Sequence, residues 1–260
     1  MGEYGSPAKG SLLMPRFFVC ASQIGVRDTG EKTVLIFGDD AAHITKSLRM
    51  KEGETLCVCD MARREYDCRI LSVGQEVLLS VEAERECDTE PPYFATVYQA
   101  LCKGDKFDSV VQKAVECGAS RIVPFISDHC VVRLTKKDCE KKCVRWQRIA
   151  AEAAKQCGRG IIPEVAPLMT YNEMLSDAAR ADAPLFCYEA EDTVSLPSAV
   201  KGNGAKTVSV VIGSEGGFSV DEARGAKDAG LVSVSLGRRI LRTETVSSFV
   251  LGALSYELEL

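Results

Sequence analysis

At residues 86–94 the chain reads ECDTEPPYF, and the adjacent prolines there divide it into two stretches of different rhythm. Neither Pro91 nor Pro92 can donate to a β-ladder or continue a helix, so this segment reads as a linker. Before it, RFFVC, KTVLIFG, TLCVCD, YDCRILSVG and EVLLSVEAER are β-rich runs separated by Asp/Gly/Glu clusters, with one helix-like interruption at DDAAHITKSLRM. That spacing predicts a small antiparallel barrel. After the prolines, strand-like and helix-like segments alternate. Phe107, Val110, Val111, Ala114 and Val115 form an apolar helical face that ends at Gly118, and KTVSVVIG reads as a strand buried on both faces. Such alternation predicts an α/β domain with a parallel sheet. The expected organisation is a disordered Gly/Ser-rich tail over 1–13, a β domain over 14–90 and an α/β domain over 91–260. Met1, Gly2 and Ser6 match a myristoylation pattern in form, but the tail reading is preferred.

Composition excludes several function classes. No apolar run approaches the ~18 residues of a membrane span, and the start lacks the basic and apolar regions of a secretory signal. The twelve cysteines contain no C-x-x-C, and the two histidines, His43 and His129, lie far from any tight cysteine pair, so no metal site is expected. Reduced thiols behaving as small hydrophobes fit a cytoplasmic chain. A net charge of −5 argues against a general polyanion coat. The charge is uneven, however: nine Lys/Arg against three acids over 133–159 make that segment +6 and the remainder −11. The segment is either a solvated helical face or a grip for phosphates.

Two loops carry the chemistry. VVIGSEGGFS (210–219) follows a predicted buried strand and places Glu215 among Gly213, Gly216 and Gly217. Its spacing is neither G-x-G-x-x-G nor a P-loop, and a central carboxylate suits a cationic ligand better than a phosphate. S-adenosylmethionine, an adenosine with a zwitterionic amino acid and a sulfonium, meets that description; a simple turn before a helix capped by Ser219 and Glu222 is the plainer reading. LGRRILRTET (236–245) packs three arginines and a glutamate around Ile240 and Leu241, unlike an ordinary Asn/Asp/Ser/Gly-rich loop.

Together these motifs resemble the RsmE family of SPOUT-class methyltransferases, which methylate N3 of a uridine in 16S ribosomal RNA. PRFFV near the start, KGDKFDSVVQKAVECGASRIVPF (103–125) and the RW.RIA.EAAKQCGR pattern (145–159) agree in order, so the likeness runs from Met14 to the C-terminus. Ser214 stands where the family usually has proline, and Val246 where it usually has alanine. The resemblance implies an α/β protein with an N-terminal PUA-like β-barrel and a C-terminal SPOUT domain bearing a deep trefoil knot. It implies S-adenosylmethionine as cofactor, a homodimer, and 16S rRNA or the small ribosomal subunit as partner. Backbone of Gly213, Glu215, Gly216, Gly217, Leu236, Gly237, Ile240 and Leu241 is expected to hold the cofactor. Arg242 is the expected catalytic cation, with Glu244 and Thr245 orienting it or the base. Arg16, Arg121, Arg133, Arg145 and Arg159 are expected to contact RNA. The alternative is a non-catalytic RNA-binding protein with a degenerate SPOUT fold.

Overall fold

The computed structural model describes residues 14–132, 134, 136–188, 193–201 and 204–260. They form two compact units: the residues up to Glu90 joined by Gly158–Ile161, and Pro91–Cys157 with Ile162–Leu260. The tail over 1–13 lies outside the described residues.

The first unit is a six-stranded sheet of β1 (Arg16–Phe18), β2 (Ile24–Val26), β3 (Lys32–Ile36), β4 (Thr55–Cys59), β5 (Arg64–Val73) and β6 (Val77–Glu86). The strand order is β1-β4-β5-β6-β3-β2. Pairing is antiparallel except between β1 and β4. The helix-like interruption is a short helix, α1 (Gly38–Ala42), running on through a wider turn. Phe17, Val34, Ile36, Ile44, Leu56, Val58, Ile70 and Leu79 fill the core. The β-branched and aromatic runs thus become the inward face of a pleated surface.

Residues 158–161 join this unit because Glu90 holds them. Its Oε1 accepts hydrogen bonds from the N–H groups of Gly160 (3.0 Å) and Ile161 (3.1 Å), and its Oε2 pairs with Arg159 Nη2 at 2.6 Å. Thr89 Oγ1 donates to the Gly158 carbonyl. A Cβ on Gly160 would lie 2.5 Å from Cys87 Sγ, so only glycine admits this approach.

The second unit is a parallel seven-stranded sheet: β7 (Phe94–Ala100), β8 (Arg121–Phe125), β9 (Glu164–Val165), β10 (Ala183–Cys187), β11 (Val194–Ser195), β12 (Thr207–Ile212) and β13 (Val232–Ser235). Its order is β11-β13-β10-β12-β7-β8-β9. Between the strands run α2 (Lys106–Glu116), α3 (Lys136–Cys157), α4 (Tyr171–Ala178), α5 (Leu196–Val200), α6 (Val220–Asp228) and, last, α7 (Thr243–Leu258). β7 and β12 lie at the centre and are buried along nearly their whole length, as their unbroken apolar runs require. The short β9 and β11 have no signal of their own in the sequence; neighbouring strands impose them.

Candidate functional site

β12, β10 and β13 are adjacent and parallel, so the segments following them leave the same edge of the sheet. Ligands of open α/β sheets bind at that edge. A cavity of about 570 Å³ opens there, lined by the 212–218 loop, by 236 and 239–244, and by Cys187, Tyr188, Val234, Val246 and Lys106.

The glycine loop has steric reasons for its composition. A Cβ on Gly213 would sit 3.1 Å from the Phe218 ring, and one on Gly216 would sit 2.8 Å from the His129 Cβ. Gly217 adopts φ +66, a left-handed backbone that favours glycine. The turn closes through Gly217 N–H donating to the Ser214 carbonyl at 3.0 Å, so serine in the place of proline does not undo it. His129 Nδ1 donates to the Gly216 carbonyl at 2.8 Å. On the far side, Ser219 and Glu222 form the expected capping box of α6. Glu222 Oε1 also accepts from the Asp128 N–H at 2.8 Å, fixing the loop to the segment after β8.

Glu215 is a strut. Its Oε1 accepts from the Lys103 N–H at 3.1 Å and from Lys106 Nζ at 2.9 Å, tying the glycine loop to the start of α2. Partial burial works against its ionisation, but the bonds from Lys106 and from backbone N–H groups outweigh that and hold the carboxyl below its usual range. Lys106 is raised by the same hydrogen bond and stays a cation. The second loop is joined to the first by α7: Thr243 Oγ1 donates to the Gly213 carbonyl at 2.6 Å and accepts from Gln99 Nε2 at 2.9 Å.

The structure therefore brings Gly213, Glu215, Gly216, Gly217, Leu236, Ile240, Leu241, Arg242 and Glu244 to one cavity. Gly237 is not among the lining residues; with φ +99 it turns the loop. Thr245 is exposed and does not line the cavity, Thr243 doing so instead. Lys106, Gln99 and Thr243 were not singled out from sequence. Gln99 did carry a signal, as a polar residue inside an apolar strand.

The arginines expected on RNA fall differently. Arg159 is 3% exposed and its guanidinium is consumed by Glu90, so it is a structural residue. Arg121 pairs with Asp177 at 2.8 Å and Glu164 at 3.4 Å, and Arg16 pairs with the buried Glu65. Arg145 remains exposed while paired with Asp108. Arg133 lies outside the described residues. On α3, Lys137, Lys141 and Arg148 are exposed cations.

The cavity fits S-adenosylmethionine. Apolar walls from Leu236, Ile240 and Leu241 suit an adenine, and the bare backbone around Gly213 and Gly216 lets ribose and base edge approach closely. Among the described residues no His/Cys/Asp/Glu group could hold a metal, and no helix is long and apolar enough to cross a membrane.

A glycine-walled cavity at the carboxyl edge of a parallel sheet marks the α/β unit as a ligand-binding domain, and the β unit is a second compact body of the same chain. The profile of the RNA methyltransferase domain matches residues 89–255, and that of the RNA methyltransferase PUA domain matches 37–81; the chain belongs to the RNA methyltransferase family. Ribosomal RNA small subunit methyltransferase E of Bacillus subtilis is 32% identical, over 95% of this chain and 98% of that protein. The protein of that name from Mycobacterium tuberculosis is 30% identical over 87% of each. Among solved structures, a ribosomal RNA small subunit methyltransferase E from Neisseria gonorrhoeae bound to S-adenosyl methionine superposes with a TM-score of 0.81 at 28% identity, covering 94% of this chain and 97% of that one.

Proposed function

We propose that this protein is an S-adenosylmethionine-dependent methyltransferase that methylates N3 of a uridine in small-subunit (16S) ribosomal RNA. The observation that carries this reading is the cavity itself, where backbone-rich walls for a nucleoside meet a charged rim of Lys106, Arg242 and Glu244. A degenerate, purely RNA-binding protein has no need to keep such a cavity, and nothing in the structure favours that alternative.

Gly213, Gly216, Leu236, Ile240 and Leu241 would hold the adenosine, and the bound donor supplies an electrophilic methyl group. The protein's own work is positioning and electrostatics. Arg242 stabilises negative charge that develops on the uracil as N3 loses its proton. The β unit and the exposed lysines of α3 grip the RNA backbone.

The connectivity supports a SPOUT domain with a trefoil knot: β12 enters between β7 and β10, both laid down earlier, and α7 returns to pack on α2 and β12. A homodimer is supported by α7, which leaves Phe249 and Tyr256 40% and 75% exposed. A protein with this substrate works in the cytoplasm, where ribosomes are. The direct test is mass spectrometry of small-subunit rRNA nucleosides from cells with and without the gene. Loss of 3-methyluridine on deletion is expected; an unchanged nucleoside profile would reject the assignment.

A further inference from the structure

The charged rim is not evenly satisfied. Lys106 Nζ gives one hydrogen bond to Glu215 at 2.9 Å and lies 3.9 Å from Glu244 Oε2. That Glu244 oxygen is buried and has no hydrogen-bond partner, although the side chain is 19% exposed and lines the cavity. An acceptor that is ion-paired yet has no hydrogen bond in a partly dry site can take a donor from elsewhere, and the cavity is where one would arrive. Lys106 keeps two ammonium hydrogens beyond the one given to Glu215. A donor and an acceptor thus stand side by side at the mouth of a nucleoside-sized cavity.

Resting on the methyltransferase reading, the geometry points to Lys106 and Glu244 as the pair that selects uracil and takes its proton. The Watson–Crick edge of uracil presents acceptor, donor, acceptor: O4, N3–H, O2. Glu244 accepts from N3–H while Lys106 donates to one flanking carbonyl, and Arg242 on the same rim supplies a donor for the other. Cytosine presents an amino donor next to an N3 acceptor. It would set N–H against ammonium and a lone pair against carboxylate, so the same pair rejects it.

The chemistry follows from the same placement. Uracil N3 is a weak acid and a poor nucleophile while protonated. Its proton passes first to the Glu244 carboxylate; the electron pair left on N3 then forms the bond to the methyl carbon, and the carbon–sulfur bond breaks with its pair left on sulfur. Lys106 cannot act as the base, because it is held protonated by Glu215; its charge offsets the charge spreading onto the ring oxygens. The proton on Glu244 then exchanges with water.

The test uses the full-length protein saturated with S-adenosylhomocysteine and titrated by NMR with uridine 5′-monophosphate or cytidine 5′-monophosphate. Wild type should prefer the uridine nucleotide by about tenfold or more, the value of one well-made hydrogen bond to a charged group. Glu244→Gln, whose amide can also donate to cytosine N3, should reduce that preference to near unity and leave S-adenosylhomocysteine affinity within about twofold. Lys106→Met should weaken the preference, and Lys106→Arg should restore it. Glu244→Asp, in which the acid is kept but withdrawn, should slow single-turnover methylation less than Glu244→Gln, which removes the proton acceptor. A wild type indifferent to the base, or a Glu244→Gln protein with unchanged preference and rate, would overturn the assignment. If wild type neither binds S-adenosylhomocysteine nor methylates small-subunit rRNA, it is the methyltransferase reading itself that fails.

Discussion

At the scale of single residues, the site depends on what glycine permits and what arginine pins. A side chain at Gly216 must displace His129, so Gly216→Arg should abolish S-adenosylmethionine binding in calorimetry while circular dichroism stays native. Arg159 gives the sharper contrast. Removing it would strand the Glu90 carboxylate, which is 4% exposed. Arg159→Ala should therefore cost about 3–5 kcal/mol in urea unfolding; an arginine that merely touches RNA would leave stability alone. Glu215 predicts a pH dependence. Because its folded-state pKa is depressed, its contribution is present above the unfolded value of about 4.3 and is lost as pH falls through the folded one. The difference in melting temperature between wild type and Glu215→Gln should be largest near neutrality and shrink below about pH 4. In the sequence Glu215 looked like a partner for a cationic ligand, since a carboxylate among glycines says nothing of a lysine 109 positions earlier.

At the scale of elements, the legible parts were those with strong periodicity or punctuation. The apolar stripe of α2, the unbroken run of β12 and the Ser219–Glu222 box each declare themselves locally, because the residues that make them are neighbours in sequence. Two-residue strands such as β9 do not, since adjacent strands create them. The same distinction explains the arginines: a positive residue looks alike in sequence whether water or a buried carboxylate faces it. For RNA the exposed part of α3 is the element to test. Lys137→Ala with Lys141→Ala should lower the slope of log affinity against log salt by roughly two, measured by fluorescence anisotropy with a small-subunit rRNA fragment. Arg121→Ala, by contrast, should act chiefly on stability, because Asp177 and Glu164 already occupy its guanidinium.

At the scale of the whole molecule, the paired prolines mark where strand-rich chain gives way to alternation, and the junction of Glu90 and Pro91 divides the two compact units. What could not be read was the return of Gly158–Ile161 to the first unit, since it depends on one carboxylate reaching backbone N–H groups that lie 70 and 71 residues further on. That clasp has a consequence for biosynthesis. As the chain emerges from the ribosome, the strands through β6 are available early, but Glu90 stays unmet until α3 has been translated and 158–161 follows it. Nascent chains arrested short of residue 158 should be cleaved faster by protease than chains long enough to carry 158–161 clear of the ribosomal exit tunnel, and the difference should vanish in Glu90→Ala. The β unit is thus first to be made and yet must wait for its closing piece.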